Sequence, residues 1–340
     1  MSKRIYFSVF LFSIICSFLF CGEMGHYQPG VLNSKDFIMP AKGIYYIQYD
    51  SLYFSNSFYG PDSRKLSILK AGESFSYKGY YIDALSDSKI RFKVRSLGII
   101  PKFIFVAKNT IIGAHYAFFF NPFFVYESVN LKTDVLSDLP INGIQVPGKS
   151  ATRNLKISSN VLAMGDFFIN PIWLDWDDDY FDFWFRYGAY APIGSYKSTR
   201  LSNPGLGFWS HEIVWGGSVY FQKEKTTALV LNLTYEINQK QRHTHIVPGE
   251  YFIFEYALSH YPNKHLEFCL TGYSLLQVTD DSGNLSRNKH IKSSANAFGI
   301  QNSYWIKPEK LFLSARYLYE YTAKYRTKGQ LAGVNLTYVF

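Results

Sequence analysis

The sequence has only three cysteines in 340 residues, and two of them, Cys16 and Cys21, lie in or beside an apolar N-terminal stretch. If that stretch is removed, Cys269 alone remains, which excludes a disulfide framework within the chain. Charged residues are also scarce, at 18% of the chain, whereas aromatic residues make up 19%. Low charge with abundant aromatic residues is typical of a protein with a lipid-facing surface and aromatic girdles at the membrane interfaces.

The sequence lacks any apolar run long enough for a transmembrane helix, which needs about 20 residues. The longest apolar stretch, residues 5–20, follows the positively charged residues Lys3 and Arg4. This order is typical of a secretory signal peptide, so we predict one over residues 1–22. Lipidation at Cys21 is the alternative to simple cleavage. The chain is therefore expected to be exported, with no membrane-spanning helix after processing.

Acidic residues are fewer than basic ones, and the formal net charge is +9. The basic residues are scattered along the chain rather than gathered in a stripe, which argues against a nucleic-acid partner. Because export is also predicted, we expect these residues to contact anionic membrane lipid and lipopolysaccharide instead.

What the sequence does contain is alternation of apolar and polar residues, seen most clearly at its C-terminus. A strand places successive side chains on opposite faces, so residues 333–340 predict a strand with one apolar face. The apolar face comprises Val334, Leu336, Tyr338 and Phe340. Ending on an aromatic residue is typical of the strand by which outer-membrane barrels are recognised for insertion. We therefore expect the barrel assembly machinery to bind the chain through Phe340.

The same alternation recurs upstream and predicts further strands with one apolar face. It is clear in residues 181–187, 212–221, 228–237, 252–259 and 313–321. The connections between strands alternate in length along the chain. We expect short connections at residues 107–110, 175–179, 222–225, 261–264 and 307–310. We expect long connections at residues 56–89, 132–160, 193–205, 238–248 and 279–291.

Short periplasmic turns alternating with long extracellular loops are the rhythm of outer-membrane barrels. The sequence therefore predicts an all-β protein, a transmembrane antiparallel barrel of about 12 strands over residues 43–340, located in the bacterial outer membrane. Residues 23–42 precede the first strand and carry little alternation. They are predicted to form either a periplasmic extension or a plug in the lumen.

If the apolar faces meet lipid, the opposite faces point into the lumen. The predicted lumen-lining residues are Asp182, Trp184, Arg186, Glu212, Glu236, Glu255, Glu267, Arg316 and Glu320. Acidic residues predominate in this set, which predicts a pore that disfavours anions. The alternative is a structural network that fills a narrow barrel. Trp184 is the candidate for stacking on an aromatic solute, with core packing as the alternative.

Three clusters suggest other chemistry, and each has a simpler interpretation. The acidic residues within 175–179 lack the glycine of a calcium-binding loop and read as a solvated turn. His243 and His245 lack further metal ligands nearby. Ser210 and His211 are adjacent, so on a strand they would face opposite ways. We therefore predict no catalytic residue, no metal and no cofactor.

Several segments together resemble a known family. They are GHYQPG at 25–30, PAKGIYY at 40–46, YAPIG at 190–194, GLGFWSH at 205–211, TALV at 227–230, TYEIN at 234–238 and QVTDDSG at 277–283. This set resembles the outer-membrane barrel family named for the meta-pathway of phenol degradation. The resemblance implies an outer-membrane protein that passes small, hydrophobic or aromatic molecules, without catalytic residues.

The sequence thus predicts a channel for passive uptake of small molecules rather than an enzyme. Two alternatives remain open. The first is a closed barrel whose long loops bind surface ligands, and the second is a lipid-modifying barrel enzyme.

Overall fold

The computed structural model describes residues 24–70, 74–77, 80–83, 87–141, 144–242, 244–283 and 290–340. The predicted signal peptide and His243 lie outside these described residues. Across the described ranges, no helix is long and apolar enough to cross a membrane. The described helical structure is one short 3₁₀ turn at Ser34–Phe37.

The chain is otherwise built from strands. They are β1 (Gly43–Tyr59), β2 (Ile68–Leu69), β3 (Ser74–Tyr77), β4 (Tyr80–Asp83), β5 (Ser88–Val106), β6 (His115–Asn121), β7 (Phe124–Ile141), β8 (Ile144–Met164), β9 (Phe167–Asp177), β10 (Phe181–Ala191), β11 (Ser210–Tyr220), β12 (Thr227–Asn238), β13 (Tyr251–His260), β14 (Leu266–Gln277), β15 (Ser294–Lys307), β16 (Leu311–Lys324) and β17 (Arg326–Val339).

The strands close into a barrel because β1 pairs on both sides. It pairs antiparallel with β17 along Tyr45↔Val339 and with β5 along Gly43↔Val106. β6 and β7 are successive halves of one barrel strand, and so are β8 and β9, while β2 to β4 belong to the first long connection. The predicted antiparallel barrel of 12 strands is therefore confirmed.

The period-two pattern explains which side chains face inward. In β12, Leu229 and Leu231 are exposed, whereas Val230 and Asn232 between and beside them are buried. The exposed apolar residues form an outer belt that lipid, rather than water, can solvate. Closing the sheet also gives the first and last barrel strands partners on both sides, so their backbone groups are paired within the wall, as the membrane interior requires. The core of the protein is therefore the inside of the barrel.

One predicted connection is wrong. Residues 132–160 were expected to form a long loop, but β7 and β8 stay paired from Phe124↔Met164 to Ile141↔Ile144. The two strands extend well past the end of β10 that leads into the long connection at 193–205. There β10 pairs with β9 only as far as Ala191↔Phe167. Beyond the lipid neither face needs to be apolar, so this extension lacks the alternation that identifies the other strands.

Residues 24–42, here called the lumen segment, run inside the barrel. Near the N-terminal end, His26 contacts Ser210 at the start of β11, on the side of the barrel where the long connections lie. Near its other end, Lys35 lies beside Tyr261 and Trp305 at the short connections. With the C-terminus on the periplasmic side, the segment therefore descends from the extracellular to the periplasmic half of the lumen.

Gly216 in β11 leaves space for the indole ring of Trp184 on the inner face of the wall. A Cβ atom at Gly216 would lie 2.2 Å from the Trp184 indole. We expect Gly216→Ala to displace that ring and lower stability by about 2 kcal/mol, the typical cost of overpacking. Thermal unfolding followed by heat-modifiable gel mobility measures the change.

The matched control is Gly217→Ala, whose Cβ would face outward and meet only the Asp182 carbonyl oxygen at 3.0 Å. We expect a smaller loss than for Gly216→Ala. Equal losses for the two variants would show that contact with Trp184 is not what requires Gly216.

Candidate functional site

The nine residues predicted to line the lumen all lie on the inner face of the barrel wall. None of them is more than 6% exposed. They fall into two groups that differ in what their polar atoms bind. One group binds the lumen segment, and the other binds the wall itself.

Two glutamates bind the upper part of the lumen segment. The Glu236 carboxylate accepts hydrogen bonds from the backbone N–H groups of His26 at 2.9 Å and Tyr27 at 2.6 Å. The Glu255 carboxylate accepts from the backbone N–H of Gly30 at 2.8 Å and from the Tyr27 hydroxyl. A backbone that is not part of a sheet must find acceptors elsewhere, and these carboxylates provide them.

The lower part of the segment is held through Ser34. Its hydroxyl donates to Glu267 at 3.0 Å and accepts from the Gln301 amide at 3.0 Å. Its backbone N–H donates to the Gln301 side-chain oxygen at 3.3 Å. The contacts of Ser34 thus tie the 3₁₀ turn to β14 and β15.

The segment reaches the periplasmic half of the lumen at a group of aromatic rings. The Lys35 ammonium lies 4.9 Å from the Tyr261 ring centre and 5.2 Å from those of Trp305 and Phe312. Such cation–π contacts favour a cation that has lost water. Burial lowers the pKa of Lys35 and raises that of the neighbouring Asp36, since burial disfavours each charged form.

The other predicted residues are satisfied mainly within the wall. Asp182 accepts from Ser218 and Tyr220 and lies 3.2 Å from the Lys225 ammonium. Glu320 accepts from Tyr53 at 2.9 Å, Tyr273 at 2.8 Å and the backbone N–H of Gly329. These contacts join strands to each other, as expected for the packing alternative.

Trp184 and the two arginines also bind the wall. The Trp184 indole N–H and the Arg186 guanidinium both donate to the Asn232 side-chain oxygen, each at 3.1 Å. Arg316 donates to Asn335 at 3.1 Å. Trp184 is fully buried and packs in the core in this structure; stacking of its ring on a solute stays a prediction.

A buried group that the sequence did not reveal fixes the extracellular end of the lumen segment. The His26 ring contacts Ser210 Oγ through Nδ1 at 2.6 Å and Asp166 through Nε2 at 2.8 Å. Asp166 also accepts from the backbone N–H groups of Gly194 at 2.8 Å and Leu206 at 2.6 Å. This His26 cluster joins the segment to the break between β8 and β9 and to the connection after β10.

The arrangement resembles the Ser-His-Asp order of hydrolases, but the Ser210 hydroxyl donates its proton to another residue and not to His26. Ser210 donates to the Asn238 side-chain oxygen at 2.5 Å, and both Ser210 and Asp166 are fully buried. As predicted, His211 faces the other way, with Nδ1 2.8 Å from the Tyr187 hydroxyl. The sequence signal for the cluster lies in the segments of the family resemblance: His26 is in GHYQPG, Ser210 is in GLGFWSH and Gly194 is in YAPIG.

A cavity remains between the lumen segment and the wall. Its volume is about 100 Å³, and it is lined by aromatic rings of β6, β9 and β10 together with Arg186 and Glu212. Arg186 and Glu212 are the two predicted lumen residues that border this open space. Groups of three or more metal-ligating side chains are absent from the described part of the chain.

The His26 cluster generates a stability prediction. Asp166→Ala would leave His26 and two buried backbone N–H groups without their acceptor, so we expect a loss of about 3 kcal/mol. Urea unfolding monitored by gel mobility measures it. Asp179→Ala is the control, because Asp179 forms an exposed pair with Lys223 at 2.7 Å that is worth about 1 kcal/mol or less. Equal losses would contradict a structural role for the cluster.

Among solved structures, an outer membrane channel from Pseudomonas putida F1 is similar in fold. It is 11% identical, with a TM-score of 0.59, and the alignment covers 92% of this chain and 100% of that one. A Pseudomonas aeruginosa FadL homologue (9% identity, TM-score 0.42, 88% and 91% coverage) and the CymD monoaromatic hydrocarbon channel (10%, 0.41, 91% and 91%) are more distant and support no further inference.

No protein of curated function matches the sequence. The family model described as "Putative MetA-pathway of phenol degradation" matches residues 79–336. This range covers most of the chain, and the fold agrees with that of the outer membrane channel above. The chain therefore belongs to the phenol-degradation MetA-pathway family of outer-membrane barrels.

Proposed function

We propose that the protein is an outer-membrane channel for passive uptake of small, hydrophobic or aromatic molecules, and that its lumen segment acts as a plug. The observation that carries this proposal is how the segment is held. Its contacts to Glu236, Glu255 and Glu267 are made by side chains of the wall. The barrel closes by β1 pairing with β17 and β5, so the segment can leave without breaking the wall.

Charge on the inner face sets the selectivity that we propose for the open state. Beyond the predicted set, Glu127 and Asp175 are also buried in the wall, as is Lys102. Acidic side chains still outnumber basic ones among the described inward-facing residues. Once the lumen segment leaves, Glu236 and Glu255 of the wall lose the backbone N–H groups that donate to them. Glu267 loses Ser34 but keeps Ser259 and Gln301 as donors. Carboxylates that then face water favour cations in the pore.

Deleting residues 23–40 should open the channel. We expect the full-length protein to conduct weakly in a planar bilayer, and the deletion variant to show larger, discrete current steps. Reversal potentials in a salt gradient should show cation preference, because the lumen is acidic. Glu255→Gln alone is the intermediate case, since it weakens one anchor and leaves the rest of the segment in place.

Anion preference of the deletion variant would refute the acidic-lumen part of the proposal. Silence of a deletion variant that is folded by gel mobility would refute the channel. That result would favour the closed barrel whose loops bind surface ligands.

We also propose that the protein is not an enzyme, because Ser210 is buried and donates its hydroxyl proton to Asn238. A fluorophosphonate probe, which labels activated serines, should therefore leave the folded protein unmodified. Labelling that is lost in Ser210→Ala but kept in Ser218→Ala would show that Ser210 is an active nucleophile. The lipid-modifying alternative would then replace the channel.

The outer surface implies the remaining partners. The exposed apolar belt would contact membrane lipid, and the extracellular end would contact lipopolysaccharide. Phe340 is 73% exposed at the end of the chain, next to Tyr338 with ring centres 5.0 Å apart. We propose that this exposed pair is what the barrel assembly machinery binds.

A further inference from the structure

The extracellular part of β5 carries a stripe of basic residues on its outer face. Every second residue there is basic and exposed, and the four are Lys89, Arg91, Lys93 and Arg95. The residues between them, such as Phe92 and Val94, are buried against Val129 and Leu131 of β7. Alternate residues of a strand lie about 7 Å apart. Most basic residues of the chain are scattered, but this stripe therefore gathers four of them on one surface.

The positive charge continues across β7 and β8. Lys132 of β7 lies directly opposite Arg91, and Lys156 of β8 lies directly opposite Lys132. Both lysines are exposed. Like charges placed directly opposite each other destabilise a sheet. Of the four β7 residues paired with the stripe, one is acidic, Asp134 opposite Lys89. The basic face, defined as the β5 stripe with Lys132 and Lys156, thus carries a surplus of positive charge that a bound anion would offset.

The basic face begins directly above the apolar belt. The last apolar row of these strands is formed by Leu97, Tyr126 and Leu162, which pair side by side. Tyr126 is 40% exposed and Leu162 is 72% exposed. Given the rise of a strand and a tilt of about 40°, Arg95 lies about 5 Å and Lys132 about 15 Å beyond this row along the membrane normal. This is the depth of lipid headgroups. The face also points sideways, as the belt does, so the molecules beside it are lipids of the outer leaflet.

Neutral polar side chains lie between the cations. Arg95 and Lys93 are paired with serine and asparagine residues of β7 and β8, which are Ser128, Asn130, Ser158 and Asn160. Hydroxyl and amide groups can hydrogen-bond to phosphate oxygens and to sugar hydroxyls. The Arg95 guanidinium has the geometry to bind a phosphate through two N–H groups. The chemistry that matches this surface is therefore a sugar that carries phosphate groups.

We infer that the basic face is a binding site for the phosphorylated sugar headgroup of lipopolysaccharide. The inference rests on the proposed contact of the extracellular end with lipopolysaccharide and assigns that contact to β5, β7 and β8. A phosphate between Lys132 and Lys156 replaces repulsion with attraction. Binding therefore stabilises the part of these strands that extends beyond the lipid.

The test is titration of the full-length mature protein, in a neutral detergent, with fluorescent lipid A that carries both of its phosphates, followed by anisotropy. We expect Lys93→Gln/Lys132→Gln to bind at least tenfold more weakly than wild type, because each cation near an anionic headgroup contributes to binding. Dephosphorylated lipid A should bind wild type at least tenfold more weakly than the phosphorylated form. Unchanged affinity in the folded double variant would overturn the inference.

The matched control is Lys264→Gln/Lys307→Gln. It removes the same charge from exposed lysines at the short connections, at the other end of the barrel. We expect it to bind lipid A as wild type does. Equal weakening of both double variants would show that net charge alone attracts the lipid, which would overturn the site. If the first double variant fails to fold by gel mobility, Lys156→Gln alone replaces it, with an expected loss of at least threefold.

Competition identifies the source of the phosphate. Neither inorganic phosphate nor phosphatidylglycerol, each at the phosphate concentration of the lipid A, should displace the labelled lipid A. Displacement by inorganic phosphate would indicate a site for free anions. Displacement by phosphatidylglycerol would indicate a surface for any anionic lipid. Either result would overturn the assignment to lipopolysaccharide.

Conductance separates this inference from the proposed channel, because the basic face lies on the outside of the wall. Current through the variant lacking residues 23–40, without phosphate-dependent binding of lipid A by the full-length protein, would support the channel and overturn the site. Phosphate-dependent binding at the basic face without current from either protein would support the site and overturn the channel.

Discussion

The structure depends on one constraint: carboxylates that face the inside of a narrow barrel need hydrogen-bond donors. Ionised groups removed from water are costly unless they are paired. This wall places Glu236, Glu255 and Glu267 on its inner face, each at most 4% exposed. The lumen segment donates to all three, mostly through backbone N–H groups that also need acceptors, and Glu267 also accepts from Ser259 and Gln301 of the wall. The carboxylates of the wall and the backbone N–H groups of the segment therefore satisfy each other's need for a hydrogen-bond partner.

The same constraint is met differently by Asp182 and Glu320, whose donors come from neighbouring strands. Loss of the lumen segment leaves these two carboxylates paired, and Glu267 keeps its hydrogen bonds from Ser259 and Gln301. Glu236 and Glu255 are the carboxylates that lose the most. The wall therefore contains acids of two kinds. One kind holds strands together in any state, and the other kind is neutralised by the segment or, in its absence, by water and cations. Entry of water must accompany departure of the segment.

The strands of the barrel wall can be predicted from the sequence because each strand carries its own alternation of outward-facing and inward-facing residues. Leu229 and Leu231 alternate with Val230 and Asn232, and one face must meet lipid whatever the rest of the chain does. The extension of β7 and β8 past the barrel was missed because the lipid constraint ends there. The His26 cluster was missed for another reason: Asp166 and Ser210 lie 140 and 184 residues from His26. No pattern within a window links such distant residues, and Ser210 could be compared only with its neighbour His211.

The two ends of the lumen segment are held by contacts of different strength. At the extracellular end, the His26 ring and the backbone of His26 and Tyr27 bind Asp166 and Glu236, and hydrogen bonds to charged groups contribute about 1.5–3 kcal/mol each. At the periplasmic end, one such hydrogen bond joins Ser34 to Glu267, and the other contact is Lys35 on aromatic rings, where a cation–π contact contributes about 0.5–2 kcal/mol. The segment is also continuous with β1 at that end, through residues 40–43, so it cannot leave as a free peptide. Opening therefore requires the stronger, extracellular contacts to break, because only that end can move away from the wall.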